Sequence, residues 1–216
     1  MAIPELRRGT RRRDTPRKGD LREQAILDAA EVQLEEHGFD AMTVEAIAKG
    51  AGISRASLYF YFGSKRDVLT ALVARTMALV AEDAALAVAD TESAPAETVR
   101  RTLARTEANW RRHGRVMRAA VELSGVIPEV NRLWMEAMQV SIGALTTVLA
   151  RAGFPDGRGP EDAASLARTL CFMTERNYYV ASSSALGPQS LRRTTEACWL
   201  VWSSMLASPA GQTARS

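Results

Sequence analysis

A chain of 216 residues that is 46% apolar can bury a substantial core, in one large domain or two smaller ones. Its net charge of +3 is unevenly placed: residues 1–22 carry eight Lys and Arg against Glu5, Asp14 and Asp20, which leaves the remaining chain mildly acidic. Two isolated histidines and two cysteines without C-x-x-C spacing argue against a metal site, and no Ser/His/Asp, Cys/His or phosphate-loop pattern points to an enzyme or a bound cofactor.

Residues 1–19 are rich in Arg, Pro and Gly and are expected to be a disordered basic arm. Asp20-Leu21-Arg22-Glu23 resembles a capping box and opens a first helix, with Ile26, Ala29, Ala30 and Leu34 on one face and a stop at Gly38. His37 suits the C-terminal end of that helix as a cation. Thr43 caps a second helix whose Val44, Ile47 and Ala48 share a buried face. Lys49-Gly50-Ala51-Gly52 then turns the chain, with Gly52 in the left-handed conformation. Ser54 caps a third helix, in which Ala56, Ser57, Tyr59 and Tyr61 alternate with the inward residues Leu58 and Phe62. Two short helices around a glycine turn, with small polar residues opening the second, describe a helix-turn-helix that reads double-stranded DNA.

Ser64-Lys65-Arg66-Asp67 starts a fourth helix, which Val68, Leu69, Leu72, Val73, Met77 and Val80 carry to about Ala89. After a break at Asp90 to Pro95, a helix runs through Val99, Leu103 and Trp110 to His113-Gly114, and a shorter one spans Val116 to Leu123. Gly125 to Pro128 resets the chain for a long helix from Glu129 to Ala152. Gly153 to Pro160 forms a loop, a further helix covers Glu161 to Ser183, and Leu186-Gly187-Pro188 precedes a last one from Gln189 to Leu206. The expected fold is therefore all-α with about nine helices: a DNA-binding module at 20–66, a larger helical bundle at 67–206 and a disordered tail at 207–216. The longest nearly apolar run, Val140 to Ala150, falls short of the about 20 residues of a membrane span, so no membrane partner and a cytoplasmic location are expected. The last helix is apolar nearly all round, at Leu191, Cys198, Trp199, Leu200, Val201, Trp202, Met205 and Leu206. Such a helix needs cover on more than one side, either inside a monomer or, the preferred reading, from a second copy of the chain docked through the last two helices as a homodimer.

KGAGISRASLYFYFGSKRDVL resembles the DNA-binding signature of the TetR family of transcriptional regulators, whose pattern covers about residues 20–75. Tyr59-Phe60-Tyr61-Phe62 and Met173-Thr174-Glu175-Arg176 further resemble an EthR-like subgroup of it. The resemblance implies that Tyr59 and Tyr61 donate their phenol hydroxyls to phosphates, that Lys65 anchors another phosphate and that Thr43 contacts one from its cap. Phe60 stands where the family approaches DNA, or stacks on its own domain. Ser54, Arg55, Ala56 and Ser57 lie at the end of the recognition helix that enters the major groove, and Arg55 either forks onto guanine O6 and N7 or holds a phosphate. Residues 20–66 contain five basic and eight acidic side chains, so the module is no basic patch. The arginine arm is then either a solubilising tail or the source of most of the attraction to phosphates.

The resemblance also implies a small lipophilic effector held in the bundle. It places Trp134 and Met138, then Thr174 and Glu175, then Trp202 around that molecule; Ser141, smaller than the bulky aromatic the subgroup carries there, and Cys171 are candidates beside them. Tyr178 and Tyr179 adjoin it, and Asn109, Trp110 and Met117 are further candidates. The same residues also suit ordinary core packing. The preferred function is a dimeric repressor released from its operator by that effector; the alternative is an architectural DNA-binding protein or an activator without one.

Overall fold

The computed structural model describes residues 18–157, 159–183, 187 and 189–207, and among these every regular element is an α-helix. The expected arm up to residue 17, the tail from 208, and Leu186 and Pro188 lie outside the described residues. In chain order the helices are α1 Lys18–Ala41, α2 Val44–Gly50, α3 Arg55–Tyr61, α4 Lys65–Ala89, α5 Pro95–Leu123, α6 Pro128–Arg151, α7 Ala163–Ala181 and α8 Ser190–Leu206.

Among the described residues eight helices stand where about nine were expected, because the segments divided at His113-Gly114 run on as one helix. His113 leaves helical geometry (φ −121°, ψ 24°) and kinks α5. With no proline there, Val116, Met117 and Ala120 extend the buried stripe begun by Val99, Leu103 and Trp110. The break expected at Gly38 appears as a kink too: Gly38 has φ 76° and ψ 172°, and one more turn follows it.

Short polar side chains start four of the helices. Thr43, Ser54, Ser64 and Asp162 accept hydrogen bonds from the backbone N–H groups of Ala46, Ser57, Asp67 and Ser165. Pro95 and Pro128 occupy the first turns of α5 and α6, where the absent N–H has no helical partner to lose.

The long α4 lies between the two parts of the molecule, packed against α1 on one side and against α5 and α6 on the other. α8 lies on α5 and α7. One continuous apolar core runs from Ile26 and Leu34 in α1, through Leu69, Leu72 and Val73 in α4, to Trp202 in α8. Arg151, at the end of α6, ties down the α4–α5 loop by donating to the carbonyls of Asp90, Thr91 and Ser93 at 2.5, 3.0 and 2.7 Å. By length and composition α6 is long and apolar enough to cross a membrane, which the interrupted run at Val140 to Ala150 did not show. In the fold its Val130, Trp134, Ile142, Val148 and Leu149 are buried among α4, α5 and α7, as befits a core helix.

Candidate DNA interface and effector cavity

Ile47 and Leu58 are fully buried and Phe62 is 9% exposed, so α2 and α3 turn their apolar faces inward as expected. The turn between them closes through Ile53 N–H to the Ala48 carbonyl (3.0 Å), with Gly52 at φ 66°. A Cβ on Gly50 would come within 3.0 Å of Ala29 Cβ, so the glycine lets α2 sit directly on α1. What remains outward is the start of α3: Ser54, Arg55 and Ala56 are exposed, Ser57 is half-buried, and Phe60 is 85% exposed. Tyr59 is exposed and Tyr61 half-buried, with the Phe60 and Tyr61 rings edge to face at 5.4 Å.

Arg55 is already oriented in the free protein. Its guanidinium donates to Glu45 on α2 at 2.5 Å and to the Tyr59 hydroxyl at 3.2 Å, and lies 5.4 Å from the Tyr59 ring centroid. The Tyr59 hydrogen bond, then the Glu45 charge, raises its pKa above the ordinary value. The Thr43 hydroxyl oxygen accepts from Ala46 N–H at 3.1 Å, which leaves its own O–H free to donate outward.

The Lys65 ammonium, to which the resemblance gave a phosphate, is occupied within the chain itself. Its ammonium donates to the carbonyls of Phe39 (3.1 Å), Asp40 (3.0 Å) and Met42 (3.2 Å), and sits 4.7 Å from the Phe39 ring centroid. A lysine has three donors, and all three are engaged. Lys65 therefore closes the end of α1 from the start of α4.

Between the helices of the bundle lies a cavity of about 100 Å³. Asn109, Trp110, Met117, Trp134, Met138, Ser141, Cys171, Thr174, Glu175 and Trp202 all line it. Tyr178 and Tyr179 do not. Tyr178 is fully buried behind the wall, stacked on Trp110 at 6.4 Å, and its hydroxyl meets Thr195 Oγ1 at 2.7 Å and donates to the Leu103 carbonyl at 3.3 Å. Burial pushes its phenol pKa upward. Tyr179 instead turns toward the surface, where Arg118 and Arg176 cover its ring and its hydroxyl donates to Glu122 at 3.1 Å.

The rest of the wall comes from α4 and the first half of α5, including Met77, Val80, Asp83, Ala84 and Ala87. The sequence marks Met77 and Val80 only as core, since an apolar stripe looks the same whether it meets side chains or a void. Asp83 was the available signal, a carboxylate on the same stripe. It accepts from Asn109 Nδ2 at 2.7 Å. Cys171, a buried thiol, has its pKa pushed up to about 12 by desolvation and is inert as a nucleophile.

One polar node joins the two parts. Glu31 on α1 pairs with Arg75 of α4 at 2.7 Å and with His113 Nδ1 of α5 at 2.6 Å, while Arg75 also holds Asp28 at 2.6 Å. His113 is the residue at which α5 kinks, so the bend, the central helix and the DNA-facing module share one carboxylate.

The model of the bacterial regulatory proteins, tetR family, matches residues 26–72, the segment from α1 into α4. The HTH-type transcriptional regulator EthR of Mycolicibacterium smegmatis is 33% identical over 194 residues, 88% of this chain and 89% of that protein. EthR of Mycobacterium tuberculosis is 37% identical over 177 residues, 79% and 80% of the two chains. Among solved structures, the transcriptional regulator FadR from Bacillus subtilis in complex with stearoyl-CoA superposes with a TM-score of 0.68 at 18% identity, covering 85% of this chain and 97% of that one. With relatives at this identity along most of its length, the chain belongs to the tetR family of bacterial regulatory proteins, and is an EthR-like helix-turn-helix transcriptional regulator rather than an enzyme.

Proposed function

We propose that this chain is a cytoplasmic homodimeric repressor that leaves its operator when a small lipophilic ligand fills the bundle cavity. The observation that carries the reading is the position of α4. One helix supplies a wall of the cavity through Met77, Val80 and Ala84, packs on α1, and begins at Lys65 beside the recognition helix. A ligand that reshapes the cavity therefore displaces the same rod that sets the attitude of α3. The Glu31 node gives α5 a second connection to α1. The ligand must bind the DNA-incompetent arrangement better, by about 1–3 kcal/mol for typical coupling. The stearoyl-CoA complex of the Bacillus subtilis FadR is an example of this fold with an acyl-bearing molecule.

On the DNA side, Ser54, Arg55, Ala56 and Ser57 face the major groove, and Thr43, Tyr59, Phe60 and Tyr61 flank the phosphates. Lys65 supports the module from within. Arg55, held by Glu45 and Tyr59 before any DNA arrives, is presented toward a base edge rather than left to seek a phosphate. Glu45→Gln removes one negative charge from that face. It is expected to strengthen binding to unrelated DNA and to steepen log affinity against log salt by about one unit. Fluorescence anisotropy across a salt series reads the slope, and an unchanged slope places Glu45 away from DNA.

The outward apolar residues of α7 and α8 support dimerisation through these helices: Phe172, Val180, Leu200 and Val201 are 36%, 52%, 66% and 45% exposed. Leu200→Glu is expected to give a monomer in sedimentation and to weaken operator binding by roughly tenfold or more, because a monomer grips one half-site. The whole reading is tested by footprinting the DNA beside the protein's own gene, then repeating the experiment with a panel of lipophilic compounds. A protected site that no compound releases while one of them occupies the cavity would overturn the release mechanism.

A further inference from the structure

We infer that the effector is a lipophilic amine, an apolar body bearing one cationic nitrogen that pairs with the Glu175 carboxylate. The inference rests on the cavity being the effector site, as proposed above, and goes on to fix the charge of the ligand.

The polar atoms of the wall carry the argument. Asn109 donates to Asp83 at 2.7 Å, and Asp83 also faces Arg105 at 3.8 Å. The Thr102, Thr106 and Ser141 hydroxyls each donate back to the carbonyl four residues earlier, at 2.9, 2.9 and 3.0 Å. Thr174 Oγ1 accepts the Trp202 indole N–H at 3.2 Å. Of the two carboxylates on the wall, Glu175 is the unpaired one. Its Oε1 is buried and has no hydrogen-bond partner. Buried polar atoms in folded proteins are almost always paired, so an unpaired carboxylate oxygen on a cavity wall is a place for a ligand group.

The sign of that group follows from the charges nearby. Asp83 and Glu175 are the charged residues of the lining, and no Lys, Arg or His is among the described residues that form it. Arg176, next in sequence, is exposed and lies over the Tyr179 ring at 4.9 Å, and Arg168 is exposed as well. Desolvation raises the Glu175 pKa, opposed by the Arg176 charge. A carboxylate-bearing ligand would place a third acid in this space. An ammonium group would donate to Oε1 and favour the ionised carboxylate that burial disfavours. The apolar walls from Trp134, Met138 and Trp202 then take the rest of the molecule.

The test uses the full chain and three probes of matched shape: phenylbutylamine, phenylbutanol and phenylbutyrate. Titration calorimetry is expected to show the amine binding roughly tenfold or more tighter than the alcohol, with the carboxylate weakest, as for a hydrogen bond to a charged group. Glu175→Gln, nearly identical in shape, should abolish the preference for the amine while leaving the affinity for the alcohol within about twofold. Equal binding of amine and alcohol by the unaltered protein, or a preference that survives Glu175→Gln, overturns the inference and leaves the cavity reading standing. If none of the three probes binds, the cavity reading falls with it. The comparison among probes on the unaltered chain stands even if the variant fails to fold.

Discussion

Trp202→Ala should lower the stability of the whole chain by about 3–5 kcal/mol, the range for truncating a large buried aromatic side chain. For a chain of this size that corresponds to a fall in melting temperature on the order of 10 °C. Trp202 is 1% exposed, belongs to the single core shared by all the larger helices, and fills the end of the cavity nearest α8. Its removal merges the side-chain volume with a void already present. Asp162 caps α7 and the Arg151 clamp fixes the α4–α5 loop, which limits the collapse available to offset the loss. The indole N–H is also the partner of the Thr174 hydroxyl, which sits 8% exposed on the same wall. Urea denaturation followed by circular dichroism measures the change. A cost under about 1 kcal/mol would mean that the site relaxes freely and that Trp202 is not a wall of a fixed cavity. Trp202→Phe, which keeps most of the apolar volume, should recover most of the stability and lose only the hydrogen bond, about 1 kcal/mol.

The contrast between the two halves shows what one-dimensional patterns can carry. The helix-turn-helix is legible because its parts are local. Thr43, Ser54 and Ser64 cap within three residues, Gly52 turns the chain where it stands, and Leu58 and Phe62 point inward by helical period. The contacts that Lys65 makes within the chain were not legible. Its partners, the carbonyls of Phe39, Asp40 and Met42, lie more than twenty residues away, and nothing in Ser64-Lys65-Arg66 distinguishes a lysine that meets a phosphate from one that meets its own backbone. The bundle shows the same limit. The resemblance placed Trp134, Thr174, Glu175 and Trp202 on one cavity wall, because these positions follow from aligned helices. Tyr178 and Tyr179, counted as neighbours of that set, follow Thr174 and Glu175 by four residues and share their faces of α7, yet one turn further along they meet Trp110 and the Arg118 and Arg176 guanidiniums instead of the void. The void itself has no sequence signature. It arises where Ala84, Ala87, Ala137 and Ala144 from two helices meet, each unremarkable alone.

Lys65→Met separates the two roles of that position with one measurement of stability and one of binding. As the closing group of α1, the ammonium satisfies three carbonyls that the kink at Gly38 and the end of the helix leave without helical donors. Its loss is expected to destabilise the DNA-binding module by about 2–3 kcal/mol, since water can replace only part of what a half-buried ammonium provides. Methionine keeps the apolar stem over the Phe39 ring, so the change reports the hydrogen bonds and the charge rather than packing. Hydrogen exchange should show the loss first in α1 to α3 and least in α6 to α8, which lie farthest from the broken hydrogen bonds. A phosphate anchor behaves differently. Its removal would leave exchange rates unchanged and reduce the slope of log affinity against log salt by about one unit. Below the module's new melting point, Lys65→Met should therefore keep the salt slope of the unaltered protein while losing affinity in proportion to the unfolded fraction. A full-strength, stable module with a shallower slope would return Lys65 to the DNA interface and leave the end of α1 without the donor the structure gives it.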